Sequence, residues 1–161
     1  MQNLRVYIDT SVIGGYFDLE PIGRKEIAGI LIKAIREGKI EMLISTLVLD
    51  EIEKAHKSKR DEILHLLNEL DFEILDESNE SADLTLKYLQ GGVLPNASRD
   101  DARHIAIAAT NGVGLIVSWN FKHMANVRVV HAVNAINLQL GYRSIEIVPP
   151  EEVLDYGEMG I

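Results

Sequence analysis

The stretch SRDDARHIAIAATNGVGLIVSWN, residues 98–120, decides the fold. Its first half reads as a helix, with Ser98 placed to cap it and Asn111–Gly112 placed to close it. Its second half, VGLIVSWN (113–120), is a nearly all-apolar run that ends in polar residues. A strand apolar on both faces belongs in a parallel sheet covered on both sides.

Working outward, strands and helices alternate. NLRVYI (3–8), IEMLIS (40–45) and FEILD (72–76) read as strands. RKEIAGILIKAIREG (24–38) has Ile27, Ile30, Leu31, Ala34 and Ile35 at helical spacing, and Gly38 is placed to end it. TLVLDEIEKAHKSK (46–59) and DEILHLLNELD (61–71) read as two helices broken near Ser58–Asp61. SADLTLKYLQGG (81–92) is a helix with a glycine stop, and VLPNAS (93–98) is a loop. Downstream, AVNAINLQLGY (132–142) is a last helix and SIEIVPP (144–150) a last strand stopped by prolines. The pattern predicts an α/β fold, a three-layer α/β/α sandwich with a mostly parallel central sheet of about five strands. Residues 1–150 form one expected domain, and the acidic tail 151–161 is expected to pack loosely.

Composition narrows the function. The 161 residues fit one domain, and 47% hydrophobic residues suffice for its core. The absence of cysteine excludes disulfides and thiolate metal sites. No apolar run approaches the roughly 20 residues of a membrane span. The start of the chain lacks the layout of a signal peptide, so a cytoplasmic protein is expected. A net charge of −9 argues against a broad basic surface for nucleic acid, but leaves open a protein that reaches phosphate through divalent cations.

In a parallel sheet the strands deliver their carboxyl ends to one edge. The first strand delivers Asp9; Asp50 and Glu51 follow the second. Loop 92–97 leads into Asp100 and Asp101, and the strand over 113–120 delivers Ser118, Trp119 and Asn120. Three carboxylates and one amide thus approach one edge from separate segments, as a hard cation such as Mg²⁺ or Mn²⁺ requires. Each also has a local explanation. Asp9 suits a helix N-cap. Ser98–Asp101 resembles a capping box. Glu51 lies in a charged run that reads as a solvated face, and Asn120 suits a turn.

Jointly, YIDTSVIGGYF (7–17), LVLDEIEKA (47–55) and DDARHIAIAATNGVGLIVSWNFKHM (100–124) resemble the PIN-domain family of metal-dependent ribonucleases. That family includes the VapC-type toxins of toxin–antitoxin pairs. The resemblance implies that Asp9, Glu51 and Asp101 hold Mg²⁺ or Mn²⁺, and that Asp100 misses the cluster. Many members carry a fourth Asp where Asn120 stands here, so the charge for a second ion is reduced. Thr10, Ser11 and Ser118 are placed as hydroxyl partners. Arg103 and Lys122 are the favoured contacts to an RNA backbone, ahead of Arg99 and His123. His104 reads as a packed helix residue, and Trp119 as core or a base-stacking platform. The resemblance further implies endonucleolytic cleavage of single-stranded or looped RNA, and a homodimer that receives an antitoxin through helices over 24–39 and 47–70. The competing reading is a non-catalytic domain of the same fold that binds RNA or a protein. A receiver-type phosphoacceptor fits less well, because Asp9 has no acidic neighbour before Asp18. A haloacid-dehalogenase-like phosphatase would need an acid at Ser11.

Overall fold

Strands β1 (Leu4–Ile8), β2 (Ile40–Ser45), β3 (Phe72–Leu75), β4 (Leu115–Val117) and β5 (Glu146–Val148) pair in the order β3-β2-β1-β4-β5. Every pairing is parallel. The structure is a computed structural model that describes residues 3–95 and 98–158. Its helices are α1 (Thr10–Gly15), α2 (Arg24–Arg36), α3 (Thr46–Glu53), α4 (Lys57–Asn68), α5 (Asn79–Gln90), α6 (Arg99–Thr110), α7 (Val127–Gln139) and α8 (Pro150–Glu158). Among these residues no helix is long and apolar enough to cross a membrane.

Strand alternation sends side chains to two faces. Register pairs Val6 with Met42 and Tyr7 with Leu43. Ile8 and Met42 meet Leu31 and Ile35 of α2 and Leu66 of α4 around one apolar pocket. Tyr7 points the other way, edge-on to His104 of α6 with ring centroids 5.8 Å apart. Both faces are therefore covered, and the three-layer α/β/α sandwich follows. Helix α6 is apolar nearly all round: Ala102, Ile105, Ala106, Ile107, Ala108 and Ala109 are buried between the sheet and α5.

The chain leaves β1 for β2 and β3 on one side, then crosses back to lay β4 and β5 on the other. The reversal lies between β1 and β4. A crevice opens at such a switch point, at the strands' carboxyl ends. Asp9 and Ser118, the residues that follow these two strands, stand there.

The structure departs from the sequence reading in five places. A one-turn helix, α1, starts directly after β1, because Asp9 ends the strand and its carboxylate accepts from the Val12 amide at 3.4 Å. Its two glycines hide it from propensity. The break between α3 and α4 falls at residues 54–56, not near Ser58–Asp61; the Lys54 and Ala55 amides close α3 onto Glu51 and Ile52. Ser98 precedes α6 without a side-chain cap, so the expected box with Asp101 does not form. Helix α7 starts at Val127, earlier than Ala132, because Asn126 Oδ1 accepts from the Val129 amide at 2.9 Å. The stretch expected to fray forms α8 against α2, with Val153 fully buried. Asn96 and Ala97 of the expected loop, and 159–161 of the tail, lie outside the described residues.

Trp119 ties these parts together. Its ring lies under the Arg24 guanidinium, 4.9 Å from ring centre to carbon, and its indole donates to Glu151 of α8 at 3.0 Å. The ring also sits on Gly15 of α1, where a Cβ would overlap it. Overpacking of a buried contact costs about 1–3 kcal/mol. We expect Gly15→Ala to lose stability in that range, measured by urea denaturation. An unchanged midpoint would show that the ring is free to move.

Candidate active site

Asp9 is buried, with 4% of its surface exposed, and its carboxylate is met by neutral donors. Ser11 donates to Oδ1 at 2.6 Å and Ser118 donates to Oδ2 at 2.5 Å. Both hydroxyls are held from behind. Ser11 Oγ accepts from the Trp119 amide at 3.1 Å, and Ser118 Oγ from the Asn120 amide at 2.9 Å. The β1–β4 pairing sets this up, because the Asp9 amide itself donates to the Val117 carbonyl at 3.2 Å.

The chain of bonds runs on to the other acids. Asn120 Nδ2 donates to Asp101 Oδ1 at 3.0 Å, while Asn120 Oδ1 accepts from the His123 amide at 3.1 Å. On the far side of Asp9, Thr10 donates from Oγ1 to Glu51 Oε1 at 2.7 Å. The same oxygen meets His104 Nε2 at 2.6 Å. Behind His104, its Nδ1 lies 2.6 Å from the Tyr7 hydroxyl, which lies 2.7 Å from Ser45 Oγ. Ser45 in turn caps α3, accepting from the Val48 amide at 3.2 Å.

The electrostatics follow from burial and donors. Burial pushes the Asp9 carboxyl above its ordinary range, and the Ser11 and Ser118 hydroxyls only partly offset this. Burial and the nearby Asp9 charge likewise raise Asp101, against the pull of the Asn120 amide. For Glu51 burial also pulls upward, but the bonds from His104 and Thr10 outweigh it and hold the carboxyl below its ordinary value. Tyr7 is wholly buried, and desolvation drives its phenol far up, so the hydroxyl keeps its proton.

The other sequence candidates take varied positions. Arg103 is engaged by Glu77 and by Asp100, the latter at 2.8 Å, so its guanidinium is already paired. Asp100 thereby faces Arg103, while Asp101 faces Asn120. Lys122 is exposed on the turn after β4. His104 is a packed residue, 3% exposed, and also bonds directly to Glu51. Tyr7 and Ser45 escaped the sequence reading, because a tyrosine within an apolar strand looks like core. Only His104 carried a sequence signal, three residues after Asp101 on the same helical face; the bonds of Tyr7 and Ser45 span 97 and 38 positions and left none.

Mg²⁺ and Mn²⁺ favour hard oxygen donors, and three carboxylates with adjacent hydroxyls match that preference. Among the described residues, however, no three Asp, Glu or His side chains are gathered closely enough to form a ready metal cluster. Neutral donors stand between the carboxylates instead. Thr10 leads from the Asp9 turn to Glu51, and Ser118 with Asn120 leads from Asp9 to Asp101.

The acids lie along the switch point at the carboxyl edge, where open α/β sheets bind their ligands. Comparison with known families matches residues 6–127 to the PIN domain, and the chain belongs to that family, whose members are nucleases. Among solved structures it is similar to VapBC2 from Rickettsia felis bound to a DNA fragment from its promoter. That likeness has a TM-score of 0.54 at 16% identity, over 90% of this chain and 98% of that one. It also aligns with VapBC-5 from Mycobacterium tuberculosis, of the VapBC family of toxin-antitoxin systems, at TM-score 0.49 and 16% identity, over 91% and 98% of the two chains. Curated proteins give no match.

The raised Asp9 carboxyl has a pH consequence. Its contribution to stability is fully present below the ordinary Asp range and is lost as pH rises through the raised folded value. Asn is as good an N-cap as Asp and carries no charge. We expect metal-free Asp9→Asn to melt several degrees above wild type at neutral pH, and the gap to close towards about pH 4. Thermal melts across that range, in chelator, check it. A variant that melts lower at neutral pH would contradict the burial argument.

Proposed function

We propose that this chain is a Mg²⁺- or Mn²⁺-dependent endoribonuclease, acting in the cytoplasm as the toxin of a toxin–antitoxin pair. Membership of the PIN family supports nuclease chemistry. The observation that carries the reading is the bonded chain through Asp101, Asn120, Ser118 and Asp9, with Glu51 tied to the same turn by Thr10. Four segments contribute to it, three with one acid each and the fourth, after β4, with Ser118 and Asn120.

In this reading Asp9, Glu51 and Asp101 hold the cation. A bound divalent ion supplies a Lewis acid for the scissile phosphate and a lowered pKa for water. Glu51, held below its ordinary value by its donors, stays ionised and orients the attacking water. Ser118 and Ser11 keep Asp9 in place, and Asn120 aims Asp101. Lys122, exposed beside this edge, meets the RNA backbone. Arg103 is already bound to Glu77 and Asp100, so its part is to fix the start of α6.

A protein partner and a homodimer also belong to this proposal. Leu19 and Ile22, 80% and 92% exposed before α2, and Ile30, 54% exposed on it, offer apolar groups to such a partner. The second reading, a non-catalytic binding domain, is favoured by the neutral donors that separate the carboxylates.

Purified protein and a labelled single-stranded RNA separate the two. We expect cleavage with Mn²⁺ or Mg²⁺ that falls on the order of 100-fold or more in Asp9→Asn and in Asp101→Asn. Equal activity in wild type and variants would mark a contaminant, and no cleavage by wild type would favour the binding domain.

Asn120→Asp tests the charge at the site. Without metal, a fourth carboxylate facing Asp101 should lower the melting temperature. With excess Mn²⁺ the melting temperature should rise more than in wild type, because ligand binding stabilises the folded state. An identical Mn²⁺ response in both proteins would remove position 120 from the site.

A further inference from the structure

The polar chain behind Glu51 has a direction that can be worked out hydrogen by hydrogen. Ser45, Tyr7 and His104 are each at most 3% exposed, so their hydrogens must find acceptors within the protein. Ser45 Oγ already accepts from the Val48 amide. Among the described residues its only other side-chain partner is the Tyr7 hydroxyl. The Ser45 hydrogen therefore goes to the Tyr7 oxygen. The Tyr7 hydrogen must then go to His104 Nδ1, 2.6 Å away. That nitrogen carries no proton, so the ring's proton sits on Nε2 and points at Glu51 Oε1. The reverse order would leave the Ser45 hydrogen buried without an acceptor, which costs about 1–3 kcal/mol.

We propose that Tyr7 and His104 are positioning residues, which hold the Glu51 carboxylate for reaction through a one-way hydrogen-bond chain that starts at Ser45. The proposal rests on the nuclease reading and adds to it two residues outside the acid set. Its members come from three elements: Tyr7 from β1, Ser45 from the end of β2 and His104 from α6. None moves without disturbing the sheet or the layer above it. The chain ends on Oε1, where Thr10 from α1 donates as well. Two donors on one oxygen fix the carboxylate plane, and Oε2 takes no hydrogen bond among the described residues. The oxygen left for water or cation is thereby chosen by residues that touch neither. Tyr7 lies on β1, two residues before Asp9, which directly follows that strand, so the element that delivers the first acid also steadies the second.

Two measurements test this. Imidazole ¹⁵N spectra of the full-length wild type, with His104 assigned by its loss in His104→Gln, should show an unprotonated Nδ1 and a protonated Nε2. An Nδ1–H tautomer overturns the chain, whether or not RNA is cut. In cleavage assays, Tyr7→Phe keeps the ring and removes the hydroxyl. It should lower kcat about tenfold with KM unchanged, as misplacement of one reacting group does. His104→Gln keeps a donor that can reach Glu51, so it should retain more kcat than His104→Leu. Unchanged kcat in Tyr7→Phe, or a loss confined to KM, overturns the positioning role. Absence of cleavage by wild type overturns the nuclease reading, and the spectrum still decides the chain.

Discussion

Burying a carboxylate is expensive unless donors replace its water, and Asp9 is buried where β1 meets β4. The surrounding structure reads as the provision of those donors. Ser11 comes from the first turn of α1, a helix that Asp9 itself caps. Ser118 directly follows β4, the strand that crosses back to pair with β1, and the pairing bond from Asp9 to Val117 sets its position. The two hydroxyls are in turn aimed by the backbone amides of Trp119 and Asn120. A break in the β1–β4 register would strand a charge, so the sheet order and the acid site are one constraint seen from two sides.

Trp119 extends that constraint to the end of the chain. Its amide holds Ser11, its ring covers Gly15 and meets Arg24, and its indole bonds Glu151. Helix α8 is distant in sequence yet helps to define the geometry at Asp9. The buried chain from Ser45 to Glu51 does the same from beneath. Buried polar networks of this kind are costly when partly satisfied and rigid when complete. Here the directional count closes, which suits a lock rather than a hinge.

The parallel sheet was legible because its signals are strong: the all-apolar run into Ser118, and regular alternation with helical spacing. Asp9 and Glu51 drew notice because they follow strands, whereas Asp101 follows a loop and stood out from Asp100 only through the family pattern. The physical separation between those two neighbours is the pairing of Asp100 with Arg103 and of Asp101 with Asn120. What stayed hidden depends on long-range contact. Helix α1 has too few helix formers to announce itself, and it exists because Asp9 caps it and Trp119 packs on it. Arg103 looked like a free cation because Glu77, its partner, lies 26 positions away. Tyr7 looked like core, and it is core, with one hydroxyl that only the fold could assign.

Asn120 shows how stability and function compete at this edge. An amide there donates to Asp101 and accepts from the His123 backbone, so both ends of the side chain are used. A carboxylate in its place would lose the donor and add a like charge beside two acids that burial already raises. With the amide in place, each acid is met by a neutral donor from another segment. In the proposed reading, where Asp9, Glu51 and Asp101 hold an ion, the same arrangement sets its terms. Such an ion would meet carboxylates already oriented, because Thr10 and His104 occupy only Oε1 of Glu51 and Asn120 only Oδ1 of Asp101, so its affinity depends on how these bonds aim the other oxygen of each acid.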